Sequence, residues 1–360
     1  MMTQTFVNTL AQRLARPELL DLKPYQSARR IGGQGDIWIN ANESPYNNAQ
    51  LAGVSIEGVN RYPECQPPAL IDAYAQYSQV SKDCIIAGRG ADEAIELLIR
   101  TFCIPGNDSI ACFGPTYGMY AISAQTFNVG VNALRLTEDY QLPADISSQV
   151  GSSKILFICN PNNPTGTVIE KNTLEQVIQQ FPNKLVVVDE AYIEFCSSFQ
   201  STYSVADLID KYENLVVLRT LSKAFGLAGA RCGFLMANPD ICEMVMRVIA
   251  PYPVPLPVSE IATNALSPSG IKTMQSQVMS LKQNGVRLSE ALVSYGAHVL
   301  AANGNFVLAQ FVDVEQVQQA LAKHGVVARA YNDPRLANCI RFSFTNTQET
   351  DYLIRLLDSI

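Results

Sequence analysis

From about residue 84 to residue 236 the chain alternates short apolar runs with amphipathic stretches. The runs are CIIAG (84–88), SIACF (109–113), VNALRL (131–136), KILFIC (154–159), KLVVVD (184–189), NLVVLR (214–219) and RCGFLMA (231–237). Their length and β-branched content predict seven strands. Between them, ADEAIELLIRTF (91–102) places apolar residues at 94, 95, 98, 99 and 102, the spacing of one helix face, and NTLEQVIQQF (172–181) is a second covering helix. Such alternation predicts a large α/β domain with a mostly parallel seven-stranded sheet covered by helices.

The proline cluster APYPVPLP (250–257) can continue neither a helix nor a central strand, so it marks a domain junction. Beyond it, one long helical pattern (about 258–295) leads to the runs HVLAA, NFVLAQF, VVARA and CIRFSF and a terminal helix, a smaller α+β unit. We therefore expect an N-terminal arm (1–35) packing with the small domain, a large domain (36–252) and a small C-terminal domain (253–360). The first twenty residues read as an amphipathic helix interrupted by Arg13 and Arg16. No internal repeat or low-complexity tract is visible.

Composition narrows the function classes. At roughly 150 residues per domain, 360 residues suggest two domains with ample core. Charged residues are only 16%, against the roughly 25% usual for soluble domains, which points to surface buried between subunits. The net charge is −7 without a Lys/Arg cluster, so a phosphate backbone would find little to neutralise it, and neither nucleic-acid binding nor basic membrane docking is expected. Nine scattered cysteines without a CxxC pair read as buried thiols of a reducing cytosol. The sequence offers no signal-peptide core and no apolar stretch approaching the roughly eighteen residues of a membrane span, so a cytoplasmic protein is expected. With only His298 and His324, a His-rich zinc site or histidine-dependent triad is disfavoured, and no metal is expected.

Ligands of open α/β sheets gather at the carboxyl ends of the strands, and five stretches put polar residues there. In GRGADEAIELL, Gly88 and Gly90 permit a tight turn, and the amides of Ala91 and Asp92 would open a helix and take a phosphate; equally, Asp92 and Glu93 could simply complement the helix dipole. PNNPTG (161–166) follows KILFIC, where Asn163 is either a ligand-facing group or a turn residue before Pro164. DEAY (189–192) follows KLVVV, and Asp189, ending an apolar strand, needs a cation or several donors. RTLSKAFGLAGARCGF (219–234) carries Ser222, Lys223 and Arg231 among small residues that let a flat ligand approach, although most lysines are solvated surface charges. In GPTYGMY (114–120), Tyr117 could stack on a ring or belong to the core.

Together these residues converge on pyridoxal phosphate. Lysine forms Schiff bases with carbonyls, an Asp can keep a pyridine nitrogen protonated, Asn and Tyr can contact a phenolate oxygen, and Ser, Arg and helix amides suit a phosphate.

RTLSKAFGLAG resembles the lysine signature of the class II aminotransferases, and NPTG and DEAY stand in the order and spacing of their fold type I superfamily. PYQSARR (24–30), INANES (39–44), NRYPECQP (60–67) and VIAPYP (248–253) extend the likeness over most of the chain, and NRYPECQP and PYQSARR point, within that superfamily, to a resemblance to the histidinol-phosphate aminotransferases. The resemblance implies that Lys223 carries the cofactor, Asp189 pairs with its ring nitrogen, Asn163 and Tyr192 contact the ring hydroxyl oxygen, and Tyr117 stacks on the ring. It implies that the phosphate is held by the amides of Ala91 and Asp92, by Ser222 and Arg231, and by Tyr62 reaching across a homodimer. It also implies as substrates histidinol phosphate, which carries a phosphate but no carboxylate, and glutamate or 2-oxoglutarate, which carry two carboxylates.

One cationic site must then serve both anions. Arg341 alternates with Ile340 and Phe342 in CIRFSF and is the expected clamp, with Arg329, Tyr25 and Asn42 assisting; the alternative is an Arg facing solvent from a half-buried strand. The stretches 46–60 and 330–338 match the family pattern only loosely, and both are expected to border the substrate pocket. Rival readings are an aromatic or branched-chain transaminase, a decarboxylase of an amino-acid phosphate ester, and a ligand-sensing regulator, the last disfavoured because no basic recognition helix precedes the first α/β strand.

Overall fold

A computed structural model describes residues 17–20, 22, 32, 34–48, 53, 57–197 and 202–360. Most of the expected N-terminal arm, including Tyr25, lies outside the described residues. A short strand, β1 (Ile37–Trp38), precedes seven that form one sheet: β2 (Ile85–Gly88), β3 (Ser109–Gly114), β4 (Gly130–Arg135), β5 (Ile155–Cys159), β6 (Leu185–Asp189), β7 (Leu215–Thr220) and β8 (Gly233–Ala237). Their order is β2-β8-β7-β6-β5-β3-β4, and β8 alone runs against the rest.

Alternate residues of these strands fill two cores, one on each face. Ile110, Phe157, Val187, Val216 and Leu235 pack with Ile95, Leu98 and Ile99 of the helix Ala91–Phe102. Ala111, Leu156, Val186, Val188, Val217 and Phe234 pack the other way, against Leu174 and Ile178 of the helix Lys171–Gln180 and Tyr74 of the helix Pro68–Ser78. A period of two with both faces covered turns the inner strands into nearly unbroken apolar runs, whereas the edge strand β4 is partly exposed and carries Asn132 and Arg135. Only the ends of the inner strands are free to be polar.

The C-terminal unit holds β9 (His298–Val299), β10 (Phe306–Gln310), β11 (Val326–Val327), β12 (Arg329–Ala330) and β13 (Cys339–Ser343). These include an antiparallel sheet, β12-β13-β10-β9, while β11 pairs in parallel with β1, and the helix Thr347–Asp358 closes the chain. The segment 36–39, assigned by sequence to the large domain, is thus tied to the C-terminal unit: Asp36 and Ile37 donate to Gly325 O, Ile39 donates to Val327 O, and Ser343 donates to Ile39 O. The long helical pattern expected over 258–295 is two helices, Leu256–Ala265 and Pro268–Tyr295. Pro268 cannot donate to the preceding turn, and Ser267 caps the new helix by accepting from Gly270 N at 3.2 Å.

Candidate active site

Every strand of the large sheet except β8 ends at the same edge, and the antiparallel β8 begins there. Turns leaving that edge, the segment 40–43 that follows β1, and the C-terminal sheet enclose a cavity of about 550 Å³. Ala91, Asp92, Tyr117, Asn163, Asp189, Tyr192, Ser222, Lys223 and Arg231 line it from the large sheet, and Asn42, Arg329 and Arg341 from the other side.

At one end, Gly90 adopts φ +100°, a conformation that L side chains rarely take, and turns the chain into the helix Ala91–Phe102. Gly233 lets β8 press against this turn, where a Cβ would stand 2.7 Å from the Ala91 nitrogen. Arg231 brings its guanidinium to the same point, 3.4 Å from Ser222 Oγ and 3.4 Å from an Asp92 carboxylate oxygen. Tyr117 donates to the other Asp92 oxygen at 2.8 Å. A helix N-terminus, a hydroxyl and a guanidinium so gathered form an anion site.

Deeper in the cavity lies Asp189, 2% exposed. One carboxylate oxygen accepts from Tyr120 Oη at 2.7 Å and the other from Ala191 N at 3.2 Å. Burial pushes its carboxyl up to about 6 against the pull of those two donors, and among the described residues no cation is within ion-pairing distance of it. Lys223 donates to the carbonyls of Ala41 (3.2 Å) and Asn42 (3.4 Å). Burial and then the positive charge of Arg341 push its ammonium down to about 8, so an appreciable neutral fraction is present near neutrality.

Tyr192 Oη accepts from Asn42 Nδ2 (3.2 Å) and Asn163 Nδ2 (3.4 Å). Asn42 holds φ +52° and ties the cavity to the C-terminal sheet, donating its amide to Ser343 Oγ at 2.8 Å. Arg341 is 7% exposed, because β13 is buried on both faces, so the solvent-facing alternative is set aside. Its guanidinium donates to Asn163 Oδ1 (2.6 Å) and Asn40 O (2.8 Å), while the buried Nε has no hydrogen-bond partner among the described residues. No carboxylate pairs with it among them either. Arg329 sits directly across the ladder from Arg341.

The structure does not bring Tyr62 into the cavity of its own chain: the ring is 81% exposed and stacks on Tyr252, centroids 4.4 Å apart. Sequence reasoning missed Tyr120 and Tyr331. Tyr120 stood three residues after Tyr117 in GPTYGMY, one helical turn away, but apolar packing alone would have explained it; Tyr331 lay in the loosely matching stretch 330–338.

The pyridoxal phosphate expected from the sequence fits this donor set. A buried carboxylate without a counter-ion suits a protonated ring nitrogen, a primary amine of depressed basicity suits an aldehyde, and the helix N-terminus with Ser222 and Arg231 suits a phosphate. The family model of the class I and II aminotransferases matches residues 37–357. The chain belongs to this aminotransferase family. It is 65% identical over 355 residues to the histidinol-phosphate aminotransferase of Shewanella oneidensis (98% of this chain, 90% of the relative) and 47% identical over 343 residues to that of Photobacterium profundum (94% and 89%). Among solved structures, the histidinol-phosphate aminotransferase of Clostridium acetobutylicum superposes with TM-score 0.81 at 25% identity, covering 90% of this chain and 98% of that one. The Sinorhizobium meliloti enzyme of the same name, solved with pyridoxal-5'-phosphate, superposes with TM-score 0.84 at 20% identity (96% and 98%), a likeness of fold.

Proposed function

We propose that this aminotransferase moves the amino group of L-histidinol phosphate to 2-oxoglutarate, giving imidazole-acetol phosphate and L-glutamate, with pyridoxal 5'-phosphate as cofactor. The observation that carries the reading is the meeting, in one cavity, of Lys223 with a buried Arg341 that pairs with no carboxylate among the described residues. The Shewanella and Photobacterium relatives support the choice of substrate.

Lys223 would hold the cofactor covalently, Asp189 would face its ring nitrogen, Tyr117 its ring, and Asn163 and Tyr192 its hydroxyl oxygen. Its phosphate would meet the amides of Ala91 and Asp92, Ser222 and Arg231. In a homodimer, Tyr62 of a second copy would complete that site, which gives the exposed ring on this chain a use. When bound, the cofactor supplies an electron sink for the carbanion formed at the substrate Cα.

The chain's own groups set up the rest. Displaced as a free amine when the substrate's amino group takes its place, Lys223 Nζ, whose basicity burial lowers to about 8 in the unloaded chain, would be positioned to take the Cα proton and return it, as a general base should. Arg341 presents a guanidinium fork that would suit the phosphate of the donor and the carboxylate of the acceptor alike, with Arg329 and Asn42, which also line the cavity, assisting; Tyr25, expected to assist as well, lies outside the described residues.

The test compares histidinol phosphate with phenylalanine as donors and asks for dependence on 2-oxoglutarate. We expect a visible absorbance band that histidinol phosphate bleaches and 2-oxoglutarate restores. Preference for phenylalanine would move the chain to the aromatic transaminases. Carbon dioxide released from an amino-acid phosphate ester, with no need for 2-oxoglutarate, would make it a lyase.

A further inference from the structure

Tyr120 has no place among the groups assigned above, yet it is the only side chain among the described residues that donates to Asp189. It stands in the first turn of the helix Met119–Thr126, is fully buried, and stacks on Phe157 with centroids 4.8 Å apart and ring planes at 11°. Its other neighbour is the cavity-lining Tyr117, edge-on at 5.7 Å. Phe157, Tyr120 and Tyr117 therefore form one aromatic column that runs from the sheet to the cavity wall. Such packing fixes the ring, and with it the direction of its hydroxyl.

We propose that Tyr120 is a positioning residue: its hydroxyl, aimed by the aromatic column, holds Asp189 in the ionised form and in the orientation that a protonated pyridine nitrogen requires. The inference rests on the reading of Asp189 as the partner of that nitrogen.

The chemistry is a contest over one proton. Burial favours neutral Asp189, and the negative charges of Asp92 and Glu190 add to that push. Cys159, directly across the ladder, and Tyr192 add no negative charge at neutral pH, since burial raises both well above their usual values and keeps them neutral. Two donors oppose the push, Tyr120 Oη and the more distant Ala191 N. The phenol does not lose its own proton, because burial and the neighbouring carboxylate drive its ionisation well above the ordinary range. It is thus a permanent donor. Without it the shared proton shifts from the ring nitrogen towards the carboxylate, and the electron sink weakens.

The test uses Tyr120→Phe, which keeps the stacked ring, and replacement of Tyr120 by 3-fluorotyrosine, whose hydroxyl donates more strongly. The ionisation midpoint of Asp189 is read in the cofactor-free protein from its infrared carboxyl band, identified by its loss in Asp189→Asn. We expect the midpoint to rise by about one pH unit in Tyr120→Phe and to fall in the fluorinated variant, as removal or strengthening of one hydrogen bond to a charged group should do. Cofactor affinity should drop about tenfold in Tyr120→Phe, and this loss should vanish in the Asp189→Asn background. A midpoint unmoved in both variants overturns the proposal. So does a loss of affinity that persists in the Asp189→Asn background, since mere packing would give that result. Unchanged cofactor affinity in Asp189→Asn alone would instead overturn the reading of Asp189 on which the proposal rests.

Discussion

Asp189 and Glu190 are neighbours in sequence with opposite fates. The strand period of two sends Asp189 to the cavity side and Glu190 to the other core face, where Arg219, 3% exposed, meets it at 2.8 Å. Glu190 also accepts from Ser204 Oγ (3.0 Å) and Val205 N (2.8 Å), and Arg219 donates to Ser204 Oγ as well. That node is closed. In the cavity, by contrast, Asp189 has two donors and no cation, and Arg341 has amide partners and no anion, among the described residues. Buried charges cost most when left unpaired, so a fully paired node reads as architecture and an incompletely paired one as a place prepared for a ligand.

Substitutions should separate the two regions. Lys223→Ala should lower turnover by roughly four orders of magnitude or more while leaving thermal stability near that of the parent. Mass spectrometry after borohydride reduction should find the cofactor adduct on Lys223 in the parent and none in the variant; an adduct elsewhere would remove Lys223 from its role. Arg219→Met should act the other way, costing about 3–5 kcal/mol of stability by stranding Glu190, as read by denaturant unfolding. A variant that kept its stability and lost only activity would erase the distinction between the two regions.

Glu194 lies at the margin of the paired node, accepting from Tyr77 Oη at 3.3 Å, and burial pushes its carboxyl from 4.5 up to about 7. A raised folded-state value means that the native protein holds a proton which the unfolded chain releases. Its contribution is therefore complete below about pH 4.5 and is lost as pH rises through about 7. Glu194→Gln should remove up to about 3 kcal/mol of this decline, measured as the difference between the two stability profiles over that window. Parallel profiles would show that Glu194 titrates normally. Smallest in free-energy terms, Arg341→Met should cut kcat/KM about a hundredfold for histidinol phosphate and for glutamate together, through KM more than kcat. A loss confined to one of them would mean that the two anions use different clamps.

Much of this was legible in the chain. The seven apolar runs became the seven strands of the sheet within a residue or two at their ends; most are apolar throughout because both faces are covered, whereas the edge strand β4 is partly exposed and carries Asn132 and Arg135. Gly90, Asn163, Asp189, Ser222, Lys223 and Arg231 could be singled out because they lie at the ends of such runs or in the turns beside them, where ligands of open α/β sheets gather. Less could be read where the signal was weak or non-local. The break at Pro268 was hidden inside a helical period, and β9, β11 and β12 are two-residue strands, too short for any pattern. Tyr120 drew no reading from the sequence because it packs as a core residue does; only its hydroxyl distinguishes it.

Local periodicity and the cost of burying polar groups were enough to set the succession of the seven strands along the chain and two of their covering helices, the edge at which chemistry would collect, and the residue types gathered there. Packing in three dimensions settled the rest: which carboxylate is neutralised and which left open, that Arg341 is buried close enough to Lys223 to lower its basicity, and that residues 36–39 hydrogen-bond to the C-terminal unit. Those outcomes depend on distances between segments remote in sequence, and charge interactions fall off through space, not along the chain.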